Sequence, residues 1–203
     1  MKVLGIGITG GIGSGKSYVC RLFEERGYRV YYADQRAKLL MTEDEVLVSG
    51  VKSLFGPESY HEDGSLNRAH VGKIAFGDPE KLQQLNALVH PATGRDYLRW
   101  IGEIPADYPH DFVLKEAAIL YESGAYKASD AVITVYAPKN IRLQRVLARD
   151  GADEQSVLQR MNKQWPEWKK LRRADFYIIN DGKEALGPQI ETAITFFAAK
   201  AKG

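Results

Sequence analysis

Apolar residues in this chain recur at two spacings, and the change from one to the other divides it. At the start, Val3, Leu4, Ile6 and Ile8 form a short apolar run that empties into a glycine-rich stretch, which predicts a buried strand ending in a turn. Residues 17 to 26 read as a helix closed by Gly27, and Tyr28 to Tyr32 as a second strand rich in β-formers. Strand, helix and strand in that order predict an α/β fold with a parallel sheet and right-handed crossovers.

From Gln35 to about Pro105 the strand spacing is absent. Apolar residues there repeat at helical intervals over about 36–55, 67–77 and 79–101, for example Leu82, Leu85 and Val89, with Asn67 and Asp78 placed as N-caps. Gly56-Pro57 and Asp63-Gly64 mark a loop between the first two segments, and Pro91 is expected to kink or interrupt the third. A mostly helical insert over about 35–105 follows. Strand spacing returns at Asp111–Glu116, Ala131–Tyr136 and Phe176–Asn180, which makes five strands. Helices are expected over about 139–149, over 153–173 with a break at Trp165-Pro166, and over 183–201, where Ile190, Ile194 and Phe197 share one side.

A chain of 203 residues can build one domain with a sizeable core, and no independent second domain is expected. Its 44% hydrophobic and 27% charged content is ordinary for a soluble protein. A formal net charge of +2 is small, so an anion site must come from a local cluster. Basic residues beside Trp165 and Trp168 form too short a patch, with no recognised module, to predict a nucleic-acid partner. The single cysteine, Cys20, excludes an internal disulfide and a cysteine metal site, and reads as a small core residue. One Lys before a glycine-broken apolar run is neither a signal peptide nor a membrane span, so a cytoplasmic protein without membrane contact is expected.

The chemistry begins at the first turn. Gly10-Gly11-Ile12-Gly13-Ser14-Gly15-Lys16-Ser17 fits G-x-x-x-x-G-K-[ST], in which backbone N–H groups curl around a phosphate at a helix N-terminus. Lys16 is expected to reach the β- and γ-phosphates, and the Ser17 hydroxyl to ligate Mg²⁺. A rival pattern overlaps it: Gly5-x-Gly7-x-x-Gly10 is a literal dinucleotide fingerprint, with Asp34 near the place of a ribose-binding acid. Its first two glycines fall inside the predicted strand, however, and it has no use for Lys-Ser at the helix start. Asp34 directly follows the second strand, where active residues of open α/β sheets gather; it could also cap a helix beginning at Gln35. Glu116 ends the third strand, where it is a candidate second Mg²⁺ partner through water; the other reading is an exposed strand-end charge. Arg142, Arg145 and Arg149 share one helix face that could close over a nucleotide, and about 150–173 reads as a basic lid.

Several stretches taken together resemble the dephospho-coenzyme A kinase family, whose members phosphorylate the ribose 3′-hydroxyl of their acceptor. They are Ile8–Ser17, Ala33-Asp34, Arg68 through Phe76-Gly-Asp-Pro-Glu80, Leu85-Asn-Ala-Leu-Val-His-Pro91, Glu116 with Ala118–Glu122, Arg145 through Arg149-Asp150, and Ala174-Asp175 to Asn180-Asp-Gly182. The resemblance covers nearly the whole chain. It implies a P-loop kinase fold with a helical acceptor-binding insert and a helical lid, acting as a monomer or weak homo-oligomer. It further implies ATP at Gly11 to Tyr18, hydroxyl activation by Asp34, and acceptor contacts at Thr9, Arg68, His90 and Glu122. Arg145 or Arg149 would stabilise the transferring group, with Mg²⁺ accompanying ATP. Two positions depart from the family pattern: Ala118-Ile119-Leu120 replaces Pro-Leu-Leu, and Tyr18 replaces Thr. The alternatives are another small-molecule or nucleoside monophosphate kinase, a nucleotide-dependent switch protein, and a nicotinamide-dependent oxidoreductase. The chain has no Asn-Lys-x-Asp motif for a guanine-reading switch.

Overall fold

The computed structural model describes residues 3–202. Five strands form one wholly parallel sheet: β1 (Leu4–Thr9), β2 (Val30–Tyr32), β3 (Phe112–Glu116), β4 (Ala131–Tyr136) and β5 (Phe176–Ile179), in the order β2-β3-β1-β4-β5. A parallel sheet covered on both faces leaves no solvated side to its central strands, so these read as apolar runs instead of alternating patterns. Every residue of β3 is buried, including Lys115 and Glu116. In register, Glu116 pairs with Ile8 of β1 on one side and with Tyr32 of β2 on the other.

The chain divides into two compact units. One holds the sheet, with residues up to Tyr32 and from Asp107 onward. Its helices among the described residues are α1 (Lys16–Glu24), α6 (Lys139–Asp150), α7 (Glu154–Asn162), α8 (Glu167–Leu171) and α9 (Leu186–Lys202). Ile6, Ile8, Phe23, Phe112, Leu114, Ile133, Ile178 and Phe197 form its core. Phe112 meets Phe23 and Phe197 edge-on at 6.2 and 5.6 Å and lies stacked on Tyr28 at 4.4 Å. Each such fully buried ring contributes about 1.5–3 kcal/mol.

The second unit is Ala33–Ala106, all helical apart from its loops. It contains α2 (Ala33–Glu43), α3 (Glu45–Phe55), α4 (Arg68–Gly77) and α5 (Pro79–Gly102) around Leu40, Leu47, Val51, Phe55, Val71 and Ala92. Asn67 accepts from His70 N at 3.1 Å and Asp78 from Glu80 N at 2.9 Å, so both act as the N-caps expected of them. The buried Asp96 carboxylate grips Arg36 through two 2.8 Å bonds, a forked pair that fixes α2 against α5.

Several boundaries differ from the sequence expectation. The helix expected over 36–55 is two helices, because Asp44 accepts from Leu47 N at 2.8 Å and starts a new one. Asp34 does not cap a helix beginning at Gln35: α2 begins at Ala33 and Asp34 lies in its first turn. Strand β2 starts at Val30 instead of Tyr28, since Gly27 turns the chain at φ 86° and the Tyr28 ring packs between Phe112 and His110. Pro91 does not interrupt α5, which runs through it for 24 residues. Ala87 and Pro91 lie on the exposed face, where water can take the carbonyl that the missing proline N–H leaves. The break expected at Trp165-Pro166 is present, in the link between α7 and α8, whereas α9 starts at Leu186 instead of 183 because Asp181 draws Lys183 N and Glu184 N into a turn. No helix among the described residues is long and apolar enough to cross a membrane.

Candidate active site

Strand β1 is the middle of the five, and its chain runs directly into the glycine-rich loop that opens α1. The loop's glycines are set by what surrounds them. A Cβ on Gly13 would lie 2.3 Å from the Arg142 carbonyl oxygen, one on Gly10 2.2 Å from that of Val135, and one on Gly15 2.2 Å from Asn180 Nδ2. Gly13 and Gly15 also have positive φ, 80° and 88°, where an L side chain is strained. Only glycines fit this close approach. The α1 N-cap, Gly15, offers no side-chain cap, so the first N–H groups of the helix are left for an anionic ligand.

Within the loop, Ser14 N donates to the Gly11 carbonyl at 3.0 Å, and Lys16 Nζ folds back to the Gly10 carbonyl at 3.1 Å. Lys16 is buried at 9% exposure, whereas Ser17 and Tyr18 are exposed. The Thr9 and Ser14 hydroxyl oxygens are buried with no hydrogen-bond partner among the described residues. Buried hydroxyls in that condition mark places where a ligand or water completes the structure.

The loop is braced from behind by residues far along the chain, among them Asn180 and Gln164, which the sequence pattern did not single out. Asn180, just past β5, donates from Nδ2 to the Ser14 carbonyl at 2.8 Å. Arg145 holds Asn180 in turn, donating to its carbonyl at 2.9 Å and its Oδ1 at 3.3 Å. Arg142 is buried and donates from Nε to the Ala137 carbonyl at 3.0 Å. The Gln164 amide reaches Ile12 and Ala118. Of these, Asn180 stood in a quoted stretch without a role, while Arg142 and Arg145 belong to the helix face expected to close over a nucleotide. Gln164 carried no signal, since an isolated glutamine between helices has no diagnostic spacing.

The other expected site residues fall in distinct settings. The three arginines of the α6 face do not act alike. Arg142 and Arg145 turn inward to the loop, while Arg149, 64% exposed, donates to both oxygens of Asp150 at 2.7 and 3.2 Å. With Arg160 added, these bonds hold the Asp150 carboxyl down to about 2. Glu122 accepts from Trp165 N at 2.8 Å and pairs with the wholly buried Lys170 at 3.0 Å, leaving its second oxygen without a hydrogen bond among the described residues. In the second unit, Asp34, Arg68 and His90 are all exposed. That unit also has a cavity of about 430 Å³ lined by Lys38, Leu39, Thr42, Leu66 and Arg68 among others.

The comparisons with known proteins agree with this geometry. The profile of the dephospho-CoA kinase family matches residues 4–185. A dephospho-CoA kinase of Chlorobaculum tepidum is 40% identical over 191 residues, 92% of this chain and 91% of the relative. The crystal structure of TT1252 from Thermus thermophilus superposes with a TM-score of 0.83 at 33% identity, covering 100% of both chains. A dephospho-CoA kinase from Campylobacter jejuni, 24% identical with a TM-score of 0.70 over 97% of this chain and 98% of its own, has the same fold. With its phosphate loop, its five parallel strands and a match that runs almost end to end, the chain belongs to the dephospho-CoA kinase family.

Proposed function

We propose that the protein transfers the γ-phosphoryl group of ATP to the ribose 3′-hydroxyl of dephospho-CoA, giving CoA and ADP. The observation that carries this reading is the loop Gly10–Ser17, closed glycine by glycine against fixed neighbours at the mouth of the central strand. Phosphoryl transfer passes through a loose transition state with charge spread over the moving oxygens, so the protein's task is alignment and electrostatic stabilisation.

The loop amides and Lys16 hold the β- and γ-phosphates, and the Lys16 ammonium meets the charge that grows on the transferring group. The Ser17 hydroxyl, in the first turn of α1, and the buried Glu116 carboxylate, at the end of β3, are hard oxygen donors, a set that fits Mg²⁺. Bound there with ATP, Mg²⁺ would neutralise phosphate charge. Ser17 and Glu116 would hold it with help from phosphate and water, as this ion prefers. Asp34, two residues beyond Tyr32, orients the acceptor hydroxyl and accepts its proton as the new bond forms. Arg145 steadies the loop through Asn180, and Arg149 is the exposed guanidinium available to a phosphate once it leaves Asp150.

The acceptor's arm fits the cavity beside α2. Lys38 lies one turn along the helix from Asp34, about 6 Å of axial rise, on the same face. That is the order in which the acceptor carries its ribose hydroxyl and its pyrophosphate. Lys38 and Arg68 meet the pyrophosphate, while Leu39 and Leu66 line the way for the less polar arm. Thr9, His90 and Glu122 are the further acceptor contacts that the family pattern suggests.

The test is to incubate the protein with ATP, Mg²⁺ and a panel of acceptors that includes dephospho-CoA, nucleoside monophosphates and shikimate, and to follow ADP release. ADP formation that depends on dephospho-CoA supports the reading, and a different preferred acceptor or acceptor-independent hydrolysis alone rejects it.

A further inference from the structure

The side-chain amide of Gln164 closes a bridge that neither the fold nor the phosphate loop requires. Its Oε1 accepts from Ile12 N at 2.7 Å, and its Nε2 donates to the Ala118 carbonyl at 3.2 Å. With an N–H on one side and a carbonyl on the other, only one orientation of the amide satisfies both partners. Gln164 sits in the link between α7 and α8, so three separate stretches meet at one side chain: the phosphate loop, the turn after β3, and this link.

The same link holds the loop in other ways. The Ile12 side chain packs with Val146 of α6 and with Val157 and Met161 of α7. Glu167, at the start of α8, stands 3.7 Å from Arg142, and a Cβ on Gly11 would lie 2.4 Å from each of their facing atoms. Residues 11 and 12 are therefore shaped by the α7–α8 segment. The Ile12 N–H, whose one hydrogen is committed to Gln164, is withheld from phosphate and serves as an anchor.

We propose that Gln164 is a positioning residue that latches the phosphate loop to the α7–α8 segment, so that nucleotide binding and the ordering of that segment are one linked equilibrium. The inference rests on the assignment of Gly10–Ser17 as the ATP phosphate site. By reciprocity, a nucleotide that favours the latched loop must favour the latched helices to the same extent.

The experiment compares Gln164→Met, which removes both bonds at similar length, with Gln164→Glu, which can still accept from Ile12 N but sets a carboxylate against the Ala118 carbonyl. In Gln164→Met, KM for ATP should rise about three- to tenfold, as loss of one to two ordinary hydrogen bonds implies, with KM for dephospho-CoA nearly unchanged. ADP should slow backbone hydrogen exchange across residues 154–171 in the wild type and do so much less in Gln164→Met. Gln164→Glu should be impaired at least as strongly. An unchanged KM for ATP with full ADP-induced protection in Gln164→Met would overturn the proposal. So would an equal rise in both KM values with protection intact, since that marks a merely structural residue. Absence of ADP binding by the wild type would overturn the phosphate-loop assignment itself.

Discussion

Asn180 Nδ2 donates to the Ser14 carbonyl at 2.8 Å, joining two residues 166 positions apart and tying the end of β5 to the middle of the phosphate loop. Arg145 fixes the orientation of that amide by bonding the backbone and side-chain oxygens of the same residue. The loop's shape is therefore partly encoded near the far end of the chain. Asn180→Asp is nearly isosteric but sets a carboxylate oxygen against a carbonyl. It should raise KM for ATP roughly tenfold and lower Tm by a few degrees, the scale of one buried unsatisfied group. Steady-state kinetics and thermal unfolding check both, and an unchanged KM would deny Asn180 its bracing role.

Lys16 and Asp34 should separate in their effects. Lys16→Ala loses a preorganised charge on the transferring group and should cut turnover by roughly a hundredfold or more while the fold persists. Asp34→Asn keeps the shape but cannot take a proton; turnover should collapse while ATP affinity stays near normal. Equal loss of ATP binding in Asp34→Asn, measured by calorimetry, would place Asp34 with the nucleotide instead of the acceptor.

Lys38→Gln and Arg68→Gln should each raise KM for dephospho-CoA about tenfold, with KM for ATP unmoved, because each removes a charge-assisted bond to the pyrophosphate. Adenosine, which lacks that group, is the control acceptor. Its slower phosphorylation should be indifferent to both substitutions, and a matching loss with adenosine would show that the cavity does not read the pyrophosphate.

Alkaline pH should weaken the fold from beneath the loop. Burial, reinforced by the Glu116 and Glu24 carboxylates, pushes the Cys20 thiol well above its ordinary 9.0, and burial pushes the Tyr28 phenol up to about 12. Both folded values lie above the unfolded ones. Their contribution is thus complete below about pH 9 and is lost as pH rises from there toward 12. Urea midpoints should hold between pH 7 and 9 and fall above it, with a shallower fall in Tyr28→Phe. At pH 8 the native protein should resist alkylation at Cys20 and react once denatured.

Much of this structure is legible in local sequence. The loop Gly10–Ser17, the caps Asn67 and Asp78, and strand β4 announce themselves because each rests on neighbours in the chain. The corrections have a common cause. Asp44 splits a helix whose apolar spacing continues across it, and Pro91 sits inside a helix because its face is open to water. In both, a local hydrogen bond or a solvated face outweighed the periodic signal. The braces Asn180 and Gln164 were illegible for another reason: each acts on a loop more than a hundred residues away, and no spacing within the chain records that pairing.

Strand β3 carries a consequence for both strands beside it. Because Glu116 is paired with Ile8 and with Tyr32, β3 is the spacer between the strand that leads to the phosphate loop and the strand that leads to Asp34. Two interstrand steps, about 10 Å, are set by backbone hydrogen bonding and not by any side chain. The gauge between β1 and β2 is thus built into the weave of the sheet. A slip of β3 by one residue would turn Glu116 to the opposite face and misalign both rails together, whereas substitutions on either rail alone leave the gauge intact.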